Sequence, residues 1–572
     1  MAAAQSWVQD LQRSVQDAVK AMEGARKPSM RTSQANSLNM NVIKKFAAGE
    51  IELAQMESGG GVTGLVNAVK VHKDSDAVVG KCAAALQIYV LGGGTSKQRA
   101  FLKSNAIPYF VNSIRESTNP SDALAVLNLL LMFTTTKSAV SRMQDSSAVD
   151  HVLRMLSAKP DSGATVSAAL MFLCNVCVGH KASKLELQKK KGIEAVVACM
   201  ELYSTDVKVQ QSSALLMRTL ASECEETKND IALHGTGPLL TVMSKSSGEK
   251  DAVHQACNAL INVTSKSLKN RSLIQVNNGL PVLTHILTVW RTNKDICADA
   301  LALLRNTING DENAPKFVSD IDGCINAVCE AMIENDDSHE VQLRGAQVLR
   351  YAMFAEENRA LLQAGRGVLA IAGAIRYATD HKTIGEEFYI DVLLALGNAC
   401  FNNQENKTRA GKVGALGFAV KLLFGHRDML NVQEAGLRLL RCLTEDNEFN
   451  ARLAASHKCL SLCTMDLVGH ADSADICENG FALLLNLCYC REMLERMLEA
   501  DVENIVITTL EEKHPNNRIV QIQGQRFLLV LQTEPQEVTD NPSQIANRYE
   551  DYIDEVVLPT RSSGSLKRAL CG

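Results

Sequence analysis

Aromatic residues make up only 4% of this 572-residue chain, which also has just 11 prolines and no run of 18 apolar residues. With so few aromatic rings, the core falls to Ala, Leu and Val, which suits closely packed helices better than sheets. So few prolines leave room for many uninterrupted helices. Without a long apolar run, no membrane span is expected. Neither sign of charge dominates: the net charge is −5 and both signs are mixed along the chain. Nucleic acid is therefore not the default partner. The opening MAAAQSWVQDLQ has no charged segment followed by an apolar stretch, so no secretory leader is expected. It also lacks the glycine needed for myristoylation, and the closing LCG is not a prenylation box.

Catalytic motifs are equally sparse. The stretch GGGTSK at 92–97 has the wrong spacing for a phosphate-binding loop. There is no HExxH, no G-x-S-x-G and no paired carboxylate in a credible setting. The twelve histidines, His180, His254, His285 and His426 among them, show no ligand spacing. The chain is not expected to be an enzyme, and no cofactor or metal is expected. Cysteine alone is plentiful, with 17 in the chain. Many fall at apolar helical positions (Cys174, Cys257, Cys297, Cys400, Cys442, Cys477), which reads as reduced thiols in a core. Cys174 and Cys177 form a lone CxxC with no second pair at zinc-site spacing, so core packing is expected for them too.

What the chain has instead is repetition. A small residue is followed four positions later by a large one at Ala84/Ile88, Ala125/Leu129, Ala169/Leu173, Ser213/Met217, Ala256/Leu260 and Ala300/Leu304. The series continues at Gly345/Leu349, Val392/Leu396, Gly436/Leu440, Gly480/Leu484 and Gly524/Leu528, with Val392 the one misfit. The steps lie between 41 and 47 residues. A fixed period of this length marks a stack of one supersecondary unit, in which each repeat packs on its neighbours.

The unit is legible around 270–312. NRSLIQVNNG is a short helix, LPVLTHILTVW a second, and ICADALALLRNTING a longer third. Asparagines at 229, 270, 313, 358, 406 and 450 read as N-caps of the first helix. Glycines at 237, 279, 323, 367 and 414 read as the corner into the second. The small residue of each pair would let the third helix approach its neighbours closely.

Segments such as GLPVLTHIL…ADALALLRNTINGDEN and VLLALGNACFNNQENK resemble the armadillo consensus. The resemblance covers residues 41–532 and implies an all-α fold. That fold would be a right-handed superhelical solenoid of about eleven armadillo-like three-helix repeats. Residues 1–40 are expected to hold an amphipathic helix, with Trp7, Leu11, Val15, Val19 and Met22 on one side, and a polar linker. The helix suits a cap over the exposed apolar end of the first repeat; partner binding is the other reading. Residues 533–572 are polar, acidic in the middle and then basic, and are expected to form a flexible tail.

In armadillo-like stacks the third helices line the concave face. Six residues after the small residue, this chain carries Asn175, Asn262, Asn306, Asn398 and Asn486. In peptide-binding armadillo proteins a matching asparagine holds the main chain of an extended peptide. A carboxamide offers one acceptor and two donor hydrogens for that task. The alternative is that these side chains bond to neighbouring helices. The preceding position holds Arg218, Arg305, Arg350 and Arg441, which would suit a partner with acidic segments or form a solvated rim. Nuclear import receptors resemble one another in a tryptophan four residues before the asparagine. Met171, Asn258, Ala302, Leu394 and Ala482 stand there instead, so binding of nuclear-import signals is not expected. A lysine cluster at 181, 184, 189, 190 and 191 reads as a solvated loop, with an acidic partner as the second reading.

The expected function is a non-catalytic scaffold or adaptor that binds a protein segment in the concave groove. Two alternatives stand beside it: a regulator or chaperone of a small GTPase, and a structural subunit of a ciliary or cytoskeletal assembly. The cytoplasm is the expected compartment, with nuclear or cytoskeletal association as the variants.

Overall fold

Helix follows helix through the whole computed structural model, and no strand occurs among the described residues. The structure describes residues 2–25, 34–92, 94–115, 117, 119–310, 313–364, 366–381, 384–488 and 491–532. No described helix is long and apolar enough to cross a membrane. The tail at 533–572 and most of the linker lie outside the described residues. The helix Gln34–Ala47 runs across residue 40, where the sequence reading ends the linker.

The chain divides into two compact units, Met1–Val282 and Leu283–Gly572. In the first, five long helices recur: α1 (Asp76–Leu91), α2 (Pro120–Leu131), α3 (Gly163–Cys177), α4 (Val207–Ala221) and α5 (Lys250–Thr264). The second holds α6 (Lys294–Ile308), α7 (His339–Ala352), α8 (Glu386–Cys400), α9 (Leu430–Thr444), α10 (Ala474–Leu487) and α11 (Arg518–Gln532). Within each unit every long helix packs on the next long helix. Between them run a short helix and a second helix, as at Gln404–Lys412 and Ala415–Gly425.

The small residues earn close contacts. A β-carbon on Gly345 would stand 2.5 Å from Met332, and one on Gly436 would stand 2.2 Å from Leu423. In both cases the glycine admits the second helix of its own repeat. From Ala169/Leu173 to Gly480/Leu484 both members of each pair are buried. The first two pairs are corrected by the structure. Ala84, Ile88 and Ala125 are only half-buried, whereas Cys82/Leu86 and Val126/Leu130 are buried. The stretch CAAALQIYV offers the small-to-large spacing in several frames, so the pattern alone cannot choose among them.

Two further readings change. The asparagines at 270, 406 and 450 are not N-caps. The caps stand three residues earlier, where Ser267, Asn403 and Asn447 accept the amides of Asn270, Asn406 and Asn450. Asn270, Asn406 and Asn450 are buried one turn inside, and each donates its amide twice. Asn406 Nδ2 reaches Ala399 O at 2.8 Å and Arg359 O at 3.1 Å. Asn450 Nδ2 reaches Leu443 O and Lys407 O, both at 2.8 Å. Each side chain thus ties the end of a long helix to the preceding repeat. The corner glycines also differ from expectation. Gly323 and Gly414 do adopt positive φ, but at Gly279 the left-handed residue is the preceding Asn278, with φ 56°. Gly279 is small for another reason: a β-carbon there would stand 2.4 Å from Ile274.

The N-terminal helix Ala2–Gly24 packs on α1, with Leu11, Val15, Val19 and Met22 buried. Trp7 Nε1 donates to Ile88 O at 2.9 Å. The indole lies so close over Gly92 that a β-carbon there would overlap it.

Candidate binding face

The expected site residues all stand on the long helices, and most of their side chains turn towards a neighbouring repeat. Asn175 Nδ2 donates to Thr134 Oγ1 at 2.9 Å. Asn262 Nδ2 donates to Arg218 O at 3.3 Å, Asn398 Nδ2 to Arg350 O at 2.9 Å, and Asn486 Nδ2 to Arg441 O at 3.2 Å. The geometry repeats because the asparagine sits one residue past the arginine register of the previous helix. The amides of Asn262, Asn398 and Asn486 each meet a carbonyl in the last turn of that helix. Asn175, Asn262 and Asn398 remain half-buried, while Asn306 and Asn486 are buried. Among the described residues no donor reaches the carboxamide oxygen of Asn175, Asn262 or Asn398.

The arginines point forward to the next long helix. Arg218 Nη1 bonds Gln255 Oε1 at 3.0 Å. Arg305 Nε bonds Gln347 Oε1 at 3.1 Å and its Nη1 bonds Asn306 Oδ1 at 3.0 Å. Gln347 in turn donates to Asp391 Oδ2 at 2.9 Å, and Arg350 donates to Asp391 Oδ1 at 2.6 Å. Arg441 closes on Glu478 and Asn479, each at 3.1 Å. A chain of polar side chains therefore runs along α6, α7 and α8. Asp391 is 2% exposed. A buried carboxylate of this kind is tolerated because Gln347 and Arg350 satisfy both oxygens. Arg350 and Arg441, each paired with a carboxylate, accordingly carry less free charge towards a partner than their row suggests. Asp391 and Gln347 were not singled out in the sequence, since a lone Asp or Gln on an amphipathic helix looks like any solvated residue.

An open groove of about 680 Å³ crosses α8, α9 and α10. Ile390, Leu394 and Phe401 form an apolar side, and Glu434, Arg438, Arg441, Asp475 and Glu478 a charged one. Ser473 Oγ donates to Glu434 at 2.7 Å, and Lys407 pairs with Glu445 at the groove's edge. Arg438 is exposed and has no ion-pair partner among the described residues.

Elsewhere the candidate features dissolve into structure. Lys184 is buried and donates to Ser222 O at the end of α4, while Lys181 pairs with Glu226 and Lys190 with Asp150. Lys97 of the GGGTSK stretch pairs with Glu57 and lies 4.6 Å from the ring centres of both Trp7 and Tyr89. Cys174 and Cys177 are buried, and burial pushes the Cys177 thiol up to about 12. Among the described residues no cluster of His, Cys, Asp and Glu is arranged to hold a metal.

No family model matches the chain, and no curated protein matches it. Solved structures do. An engineered protein from a structural genomics consortium aligns with a TM-score of 0.57 at 19% identity, over 75% of this chain and 99% of its own. A second chain comes from work on a phosphorylation switch controlling the interaction between cadherin and β-catenin. It aligns with a TM-score of 0.62 at 16% identity, over 88% of this chain and 97% of its own. The fold is that of a helical-repeat protein. Identities this low carry the fold and nothing finer.

Proposed function

We propose that this chain is a non-catalytic protein-interaction adaptor. In this reading it is a right-handed superhelix of about eleven armadillo-like repeats whose long helices line the concave side. It takes a protein segment along that side. The observation that supports this most is the half-buried carboxamide row. In Asn175, Asn262 and Asn398 the amide is anchored on the previous repeat, and among the described residues no donor reaches the oxygen. A carboxamide so held presents a fixed acceptor to the N–H groups of an extended segment at little cost in side-chain entropy. The groove across α8–α10 supplies the space. The chain solved with the cadherin and β-catenin theme has the same fold and belongs to a protein-binding system, which favours the same use here.

The test is partner capture with the whole chain, repeated with Asn262→Ala and Asn398→Ala. Each variant should lower the recovery of at least one specific partner while keeping its circular dichroism and its unfolding midpoint within a few degrees. Thr241→Arg, on a second helix (Thr236–Lys245), should leave that partner bound. Full retention by both asparagine variants, with loss on Thr241→Arg, would assign binding to the other face.

A further inference from the structure

From α6 to α9 the arginine row has one gap. The position five residues after the small residue holds Arg305, Arg350 and Arg441 on α6, α7 and α9, but Gly397 on α8. Nothing steric requires glycine there. A β-carbon on Gly397 would find only Leu439 Cδ1, at 4.0 Å. Its backbone is helical, so it does not use the φ freedom of glycine either. Glycine inside a helix costs about 1 kcal/mol relative to alanine. The chain bears that cost without a packing return.

What the missing side chain leaves is a pit. It has a volume of about 50 Å³ and is floored and walled by Leu393, Leu394, Leu439, Phe401 and Cys442. Two polar residues also line it: Asn398, whose oxygen no donor reaches among the described residues, and Arg438. Arg438 differs from Arg350 and Arg441, which pair with Asp391 and Glu478, in having no carboxylate partner among the described residues. The nearby Glu478 is held by Arg441, Glu445 by Lys407, and Glu434 by the Ser473 hydroxyl.

We infer that this pit is the anchor subsite of the groove. It takes one short aliphatic side chain of an extended protein segment, with an Asp or Glu of that segment on Arg438 and a main-chain N–H on Asn398. The inference rests on the groove reading above and adds the chemistry of the partner. An apolar side chain in a pit flanked by a charge-assisted bond is how short segments are recognised with specificity. The acidic flank follows from the sign of Arg438, the cation of the groove lining that has no ion-pair partner among the described residues.

The experiment selects binders from a displayed random-peptide library against the full chain and measures the enriched peptides by fluorescence anisotropy. The enriched set should share an aliphatic residue with an Asp or Glu next to it or one residue away. Gly397→Leu fills the pit and should weaken these peptides by about tenfold or more. Arg438→Glu should weaken them comparably and should recover binding when the peptide's acid is changed to Lys. Gly397→Ala serves as the fold control and should unfold at a higher temperature than the natural chain. Peptides that lose affinity with Asn262→Ala but keep it with Gly397→Leu and Arg438→Glu would leave the groove reading intact and overturn the anchor. Failure to enrich any peptide, or binding indifferent to the acid's charge, would overturn it as well.

Discussion

At the scale of single residues, buried polar groups set the energetics. Most are satisfied in pairs, as Asp391 is by Gln347 and Arg350. Asp466 is the charged carboxylate among the exceptions within the described residues. It lies on the second helix Cys459–Gly469, is 1% exposed, and one of its carboxylate oxygens has no hydrogen-bond partner. Burial pushes its pKa from 3.8 up to about 6, against a partial offset from His470 and Arg427. A raised carboxyl pKa means that the folded state holds the proton more tightly than the unfolded one. The group's stabilising contribution is therefore complete below about pH 4 and is lost as the pH rises through about 6. At neutral pH the ionised Asp466 is a net cost. Asp466→Asn keeps the shape and removes the charge. It should stabilise the protein by about 2 kcal/mol near pH 7 and by almost nothing near pH 4. Thermal unfolding at the two pH values checks this, and an equal or negative shift at both would refute it.

At the scale of elements, the long helices were the most legible feature. Each of the eleven small-to-large pairs falls within one of them, because a close approach needs a small residue at a fixed register. What the pattern left open was the frame wherever alanine is abundant, as in α1, and the direction in which polar side chains turn. Asn398 reads the same in sequence whether its amide meets a peptide or Arg350 O; only the distance to the previous helix separates the two. Asn406 and Asn450 resembled caps because the residues that do cap, Asn403 and Asn447, are of the same type three positions earlier. Gly397 was invisible, since a gap in a row is evident only once the neighbouring side chains are in place. The N-terminal helix makes an element-level prediction. Its indole hydrogen-bonds Ile88 O and covers Gly92 at the end of α1. Trp7→Ala should therefore cost about 2 kcal/mol, less than for a fully buried ring. Amide exchange should rise across residues 76–91 and stay unchanged in α3. Uniform exchange across α1 and α3 would show that Trp7 has no local capping role.

At the scale of the molecule, the cysteines report how tightly the stack is closed. Fifteen are described, all without a disulfide, and every one except Cys442 is buried. Burial in an apolar setting works twice against their reaction. It blocks access, and it disfavours the thiolate that would attack a reagent. The thiols of Cys82, Cys329 and Cys488 are each pushed up to about 12, and that of Cys442 to about 11. Near pH 8 the thiolate fraction of any of them is then smaller than that of a free cysteine by at least about a hundredfold. In a background lacking Cys490 and Cys571, a maleimide probe at that pH should modify the native chain slowly and at Cys442 first. The remaining thiols should react only at the rate at which their own helices open, so their labelling should accelerate with urea in groups that follow the two compact units. Each group should share one urea dependence, because a long helix cannot expose a core cysteine without parting from the neighbour it packs on. Rapid native labelling of Cys174, Cys257 or Cys477 would contradict this closure, and it would equally contradict the packing of successive long helices on which the proposed binding face depends.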